Sequence, residues 1–246
     1  MTTWQKLLDI REKRGAGYFV LIDPDKQSLE DSVKVAVQAE REDVDGIFIG
    51  GSLLSTPFFD ELIKQIKKNV RIPVIIFPGG VQQVSRYADA ILFMSLISGR
   101  NPDTLIGQQV MAAPIVKMIG LETIATGYML IESGKVTSAE FMSNTRPIPR
   151  DKADIAVAHA LAAEYLGKKI LYLEAGSGAL QPVPDKMIAS VSKMCTLPLI
   201  VGGGITNPDI ARQKVDAGAG FIVTGTVFEK DNSDGKMAEF AKAVHR

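Results

Sequence analysis

The chain is poor in the residues that carry redox and soft-metal chemistry. In 246 residues it has one cysteine, Cys195, and two histidines, His159 and His245. A single cysteine excludes an internal disulfide and a cysteine-built metal cluster, and it suits a reducing compartment, so a cytoplasmic location is expected. Cys195 stands at a predicted helix end before Leu197-Pro198 and reads as packing. His159 falls mid-helix in an alanine-rich stretch and His245 in the tail, so neither is expected in a site. Charge of one sign is also lacking: 28 basic residues match 28 acidic ones, for a net charge of zero. Without a basic face no nucleic-acid partner is expected. No apolar run approaches the ~18 residues that a membrane span takes. The first helix is amphipathic and has no apolar signal core.

An apolar fraction of 46% is enough for a sizeable core. Apolar runs at residues 18–22, 46–49, 74–77, 90–94, 122–130, 170–173, 199–201 and 220–223 read as strands. Helical patterns lie at residues 4–14, 28–40, 58–68, 103–117, 151–166, 184–194, 208–217 and 235–245. Alternating strands and helices imply a parallel sheet. Eight such repeats in this length predict one α/β domain over residues 1–246, a (β/α)8 TIM barrel, in preference to an open doubly wound sheet. Only about a dozen residues separate Phe77 from the fourth strand, which is short for a crossover helix. The barrel is therefore expected to be modified around its third helix. After the fifth strand, residues 135–141 are expected to turn back as a hairpin excursion, followed by a loop at 143–149 with two prolines.

The chain is arranged around LYLEAGSG at residues 171–178, an apolar run that ends in Glu174 and opens into a glycine loop. LIVGGGIT at 199–206 and FIVTGT at 221–226 repeat the form. Small residues let backbone N–H groups approach an anion, and the loops after the last strands of such barrels hold phosphate. Asn207-Pro208 then opens a helix whose N-terminus favours negative charge. The plain alternative is three tight turns. Asp23, at the end of the first strand, and Ser52, after the second, are oxygen donors suited to Mg²⁺ shared with a substrate phosphate. Asp25 is the alternative ligand, and a simple Asp-Pro-Asp turn is the structural one. A carboxylate beside a phosphate does not bind it, so Glu174 reads as a ligand for hydroxyls or as a catalytic base. Tyr172, two residues earlier on the strand, points to the same side and adds a hydroxyl.

YLEAGSG at 172–178, VGGGI at 201–205, VTGT at 223–226, DPDK at 23–26 and GGS at 50–52 together resemble the geranylgeranylglyceryl phosphate synthase family, which also includes bacterial heptaprenylglyceryl phosphate synthases. The resemblance runs along essentially the whole chain. It implies a prenyltransferase on a barrel with an altered third helix. Such an enzyme joins the C3 hydroxyl of sn-glycerol 1-phosphate to a polyprenyl diphosphate, releases diphosphate and uses Mg²⁺. By motif, Asp23 and Ser52 would hold the metal. Tyr172, Leu173, Glu174, Ala175, Gly176, Ser177 and Gly178, with Gly203, Gly204, Gly225 and Thr226, would bind glycerol phosphate, and Glu174 would be catalytic. The chain's length leans towards geranylgeranyl diphosphate (C20) over the C35 donor. The prenyl tail is expected in a groove after the third strand, lined by Phe77 and Tyr87. A homo-oligomer is expected by the same resemblance. The other readings are a phosphosugar isomerase, a thiamin phosphate synthase-like enzyme, or a non-catalytic phosphate-binding barrel.

Overall fold

The structure, a computed structural model, describes residues 1–225 and 235–246. Eight parallel strands close into a barrel in sequence order, β1 pairing with both β2 and β8. They are β1 (Gly17–Ile22), β2 (Gly46–Ile49), β3 (Val74–Ile76), β4 (Ala90–Leu96), β5 (Glu122–Leu130), β6 (Ile170–Glu174), β7 (Leu199–Gly202) and β8 (Phe221–Thr224). Apart from β5, which opens on Glu122 and the exposed Thr123, these strands are near-continuous apolar runs because both of their faces are buried. Alternate residues divide between two layers. Phe19, Phe48, Ile75, Tyr172, Ile200 and Phe221 fill the barrel interior. Val20, Ile47, Val74, Leu171, Val201 and Ile222 face the helices.

The helices are α1 (Thr3–Arg14), α2 (Leu29–Arg41), α3 (Phe59–Asn69), α4 (Gln108–Met118), α5 (Ser138–Ser143), α6 (Ala153–Tyr165), α7 (Asp185–Met194), α8 (Pro208–Asp216) and α9 (Lys236–Val244). Their starts follow local chemistry. The Ser28 hydroxyl accepts the Asp31 N–H at 3.1 Å, and Asn207 accepts the Ile210 N–H at 2.9 Å with Pro208 opening α8. Cys195 is buried with its thiol towards the Ala160 carbonyl, and His159 bonds back to the Ile155 carbonyl within α6, so both pack as expected.

Residues 77–89, between β3 and β4, contain no helix. Side chains hold this connection in place of a helical face. The buried Gln83 donates to the Gly51 carbonyl at 2.8 Å, and Ser85 donates to Asp60 at 2.5 Å. A Cβ on Gly79 would stand 2.9 Å from Ser52 Cα, so only glycine lets the two loops touch here. The hairpin excursion is not formed. Residues 135–137 lead instead into α5, whose start is the Thr137 hydroxyl accepting the Glu140 N–H at 3.3 Å. β5 already has β4 on one edge and β6 on the other, which leaves no edge for a returning strand. A π-helical turn, Asp103–Gly107, precedes α4 and was not expected.

Candidate active site

Strand ends build the mouth of the barrel. β6 closes on Glu174, one residue later than expected, so the strand itself carries the carboxylate. Tyr172 points to the same inner side. A cavity of about 1020 Å³ gathers Asp23, Ser52, Tyr172, Glu174, Gly176 and Ser177, and with them Gly178, Gly203, Gly204 and Gly225. Leu173 and Ala175 belong to the outer layer and do not line it. Thr226 lies outside the described residues.

Glu174 is buried, and its Oε1 accepts the Gly176 N–H at 2.6 Å. Loss of solvent pushes its carboxyl up from 4.5 to about 7, against the opposing pull of that N–H and of the Tyr172 hydroxyl. The Tyr172 hydroxyl is itself fully buried beside the carboxylate, close enough to pull on its charge but without the geometry of a full hydrogen bond to it or to any other group among the described residues. An acid held near neutrality and an orphaned hydroxyl beside it suit a ligand that brings its own hydroxyl groups. Gly203 lets the β7 loop close over this point. It has φ +81, and a Cβ there would stand 2.5 Å from Gly176 N. Lys26 Nζ reaches Ser177 Oγ at 3.4 Å and Asp23 at 4.0 Å. The ammonium of Lys135 hangs over Gly178, 3.3 Å from where a Cβ would stand. The glycine loop thus has cations on two sides, as an anion site requires.

On the β1–β2 side, the Asp23 carboxylate rests on Gly51: a Cβ there would lie 3.0 Å from its Oδ1. Asp25 is committed elsewhere. It accepts the Ser55 N–H, the Ser55 hydroxyl and the Thr56 N–H, each at 2.8 Å. Burial works to raise the Asp25 carboxyl, but these donors outweigh it and hold it below its ordinary value.

A second cavity, about 560 Å³, runs from Gly51, Ser52 and Phe77 along β4 to the π-helical turn. Its walls are largely apolar, with Val84, Leu92, Met94 and Met111 among them. It occupies the place left without a helix after β3. Phe77 lines it as expected; Tyr87 does not, and instead sits under Lys64, whose Nζ lies 5.5 Å from the ring centre. The mouth and this groove adjoin, with Gly51, Ser52, Phe77 and Tyr128 lining both.

The sequence model of the PcrB family matches residues 8–244. The chain belongs to the PcrB family. A Chitinophaga pinensis protein named geranylgeranylglyceryl phosphate synthase is 47% identical over 242 residues, 98% of this chain and 95% of that one. One of the same name from Methanosphaera stadtmanae is 44% identical over 229 residues, 93% of each. Among solved structures, (S)-3-O-geranylgeranylglyceryl phosphate synthase from Thermoplasma acidophilum, in complex with its substrate sn-glycerol-1-phosphate, superposes with a TM-score of 0.95. It is 33% identical, and the match covers 100% of this chain and 99% of that one. The family resemblance drawn from the motifs is thereby borne out. A thiamine phosphate pyrophosphorylase from Pyrococcus furiosus superposes with a TM-score of 0.60 at 15% identity, a likeness of fold alone.

In this PcrB-family chain the described site residues named from sequence line one cavity, with three differences. Leu173 and Ala175 contribute packing, Glu174 is largely buried at the cavity wall, and Tyr87 lies outside the groove. Sequence reasoning missed Gln83 and Tyr128. Gln83 is one of several polar residues in a loop, beside Gln82 and Ser85, and carries no local signal. Tyr128 sits on the alternation of β5, two residues before its end, and strand periodicity pointed it inward.

Proposed function

We infer that this chain is a prenyltransferase that joins the C3 hydroxyl of sn-glycerol 1-phosphate to C1 of geranylgeranyl diphosphate, releasing diphosphate. One observation carries the reading: a mouth of glycine loops, holding a buried acid with Asp23 and Lys26 beside it, adjoins a groove walled by Val84, Leu92, Met94 and Met111. A phosphate with hydroxyls and a lipid tail each find a matching half. In this reading the loops at Gly176–Gly178, Gly203–Gly204 and Gly225 cradle the phosphate. Tyr172 and Glu174 take the glycerol hydroxyls, which supply the partner that the Tyr172 hydroxyl lacks.

Asp23 and Ser52 fit a magnesium ion: one carboxylate and one hydroxyl at the junction suffice where substrate oxygens complete the shell. Among the described residues there is no cluster of three or more His, Cys, Asp or Glu side chains that would hold a metal alone. When bound, magnesium would neutralise charge on the leaving diphosphate. The chain's own residues orient the two substrates, which supplies much of the rate. They also exclude water and place Glu174 to accept the proton from the C3 hydroxyl. A carboxyl near 7 is well matched to that task. We place the reaction in the cytoplasm, in keeping with the free Cys195. Among the described residues no helix is long and apolar enough to cross a membrane.

The test is an assay with Mg²⁺, labelled sn-glycerol 1-phosphate and C15, C20 or C35 prenyl diphosphate offered separately. The expected result is a lipid-soluble product, greatest with the C20 donor and absent with sn-glycerol 3-phosphate. Folded protein that forms no product with any donor would overturn the reading.

A further inference from the structure

We propose that the rings of Phe77 and Tyr128 form an aromatic wall against which positive charge develops on the allylic carbon of the donor, an inference that rests on the prenyltransferase reading above. Among the described residues these are the aromatic side chains common to the polar mouth and the apolar groove. The reacting carbon must sit at that junction. Its tail lies in the groove, its diphosphate on the Asp23–Ser52 side, and the acceptor hydroxyl beside Glu174.

Phe77 is half-buried and held on several sides. Its ring stacks on Tyr172 at 5.2 Å and on Phe48 at 6.2 Å, and meets Tyr128 at 5.9 Å with a tilt of 53°. Tyr128 in turn meets Tyr172 edge-on at 5.4 Å. Rings fixed in this way cannot turn aside, and the face of an aromatic ring carries the negative lobe of its quadrupole. That face attracts a cation most strongly where water is excluded. Burial, with the nearby Glu174 charge adding to it, raises the Tyr128 phenol well above its ordinary value, so it stays neutral.

The step balances without these rings taking part in a bond. The C1–O bond of the donor breaks with both electrons leaving on the diphosphate. Charge rises on C1 and its allylic partner. The C3 oxygen of glycerol phosphate supplies the pair for the new C–O bond, and its proton passes to Glu174. Phe77 and Tyr128 lower the energy of the charge while it exists.

The experiment replaces Phe77 by mono-, di-, tri- and tetrafluorophenylalanine in the full chain, with kcat and KM for geranylgeranyl diphosphate read for each. Fluorine withdraws electron density from the face and changes shape little. The expected result is a stepwise fall in kcat, about tenfold across the series, with KM for the donor within about twofold. A kcat that is flat across the series overturns the role of Phe77. For the second ring, Tyr128→Phe is expected to keep kcat and Tyr128→Leu to lose it. Equal loss in both overturns the role of the Tyr128 face and assigns the effect to its hydroxyl. If the unsubstituted enzyme makes no product, the prenyltransferase reading itself falls, and this inference with it.

Discussion

The burial that would make Glu174 a useful base in the proposed reaction costs stability. Its carboxyl stands at about 7 in the folded chain against 4.5 ordinarily, so between those values the folded chain holds a proton that the unfolded chain has released. The contribution of this one group is therefore full below about pH 4.5 and is lost as pH rises through about 7, by a figure on the order of 3 kcal/mol. Glu174→Gln is expected to remove that decline, which urea melts of both proteins at pH 5 and pH 8 will show. The same substitution is expected to cut kcat by about 100-fold or more; unchanged turnover would reject the base role. Wild-type kcat should rise with pH through about 7, with the slope lost in the variant. Asp23→Asn is expected to abolish magnesium-dependent turnover and leave binding of sn-glycerol 1-phosphate intact. Calorimetry with glycerol phosphate alone, beside the assay, separates the two effects, and an active variant would sink the assignment.

At the scale of elements, the unusual piece is the connection from β3 to β4. Its buried Gln83 bonds the Gly51 carbonyl from a loop, and no helix stands behind it. Gln83→Ala leaves that carbonyl and the Gly51 N–H without their partner, at about 1–3 kcal/mol. It is expected to raise KM for the prenyl donor more than KM for glycerol phosphate, since it loosens the groove wall and spares the glycine loops. Equal changes in both would count against that division. The strands were legible from sequence because each is an apolar run buried on both faces, and the short gap after Phe77 announced the missing helix. α5 was not read, although Thr137 and Glu140 stand at the spacing of a helix start. Gly134 favours a turn at this point, and only the closed barrel shows that β5 has no free edge for a returning strand. The acid of β6 was legible as chemistry but not as buried. Its seclusion comes from β7 and the Gly203 loop, which meet it only in three dimensions.

For the whole molecule, the outer surface of α4 and the turn before it is out of character for a barrel helix. Ile106, Val110, Ile115 and Met118 are all exposed there. A face of this kind at helical spacing is expected to be covered by a second copy in a two-fold pairing. Ile115→Glu, away from the groove lining, should shift the sedimenting species towards the monomer, whereas a wild-type chain that sediments as a monomer would contradict the oligomer. The bare stretch between β3 and β4 has a consequence at this scale too. Ile91 and Phe93 of β4 line the groove there, between the helix-free connection and α4. A C20 tail laid along them becomes, for the time it is bound, the missing piece of the protein's own packing. The lipid is then a temporary part of the architecture as well as a reactant, and each methylene it buries, about 0.8 kcal/mol, is shared between binding and folding. A non-reacting analogue of the donor should therefore raise the unfolding temperature further as its chain lengthens, until the groove is full. The enzyme would be least well packed at the moment its product departs.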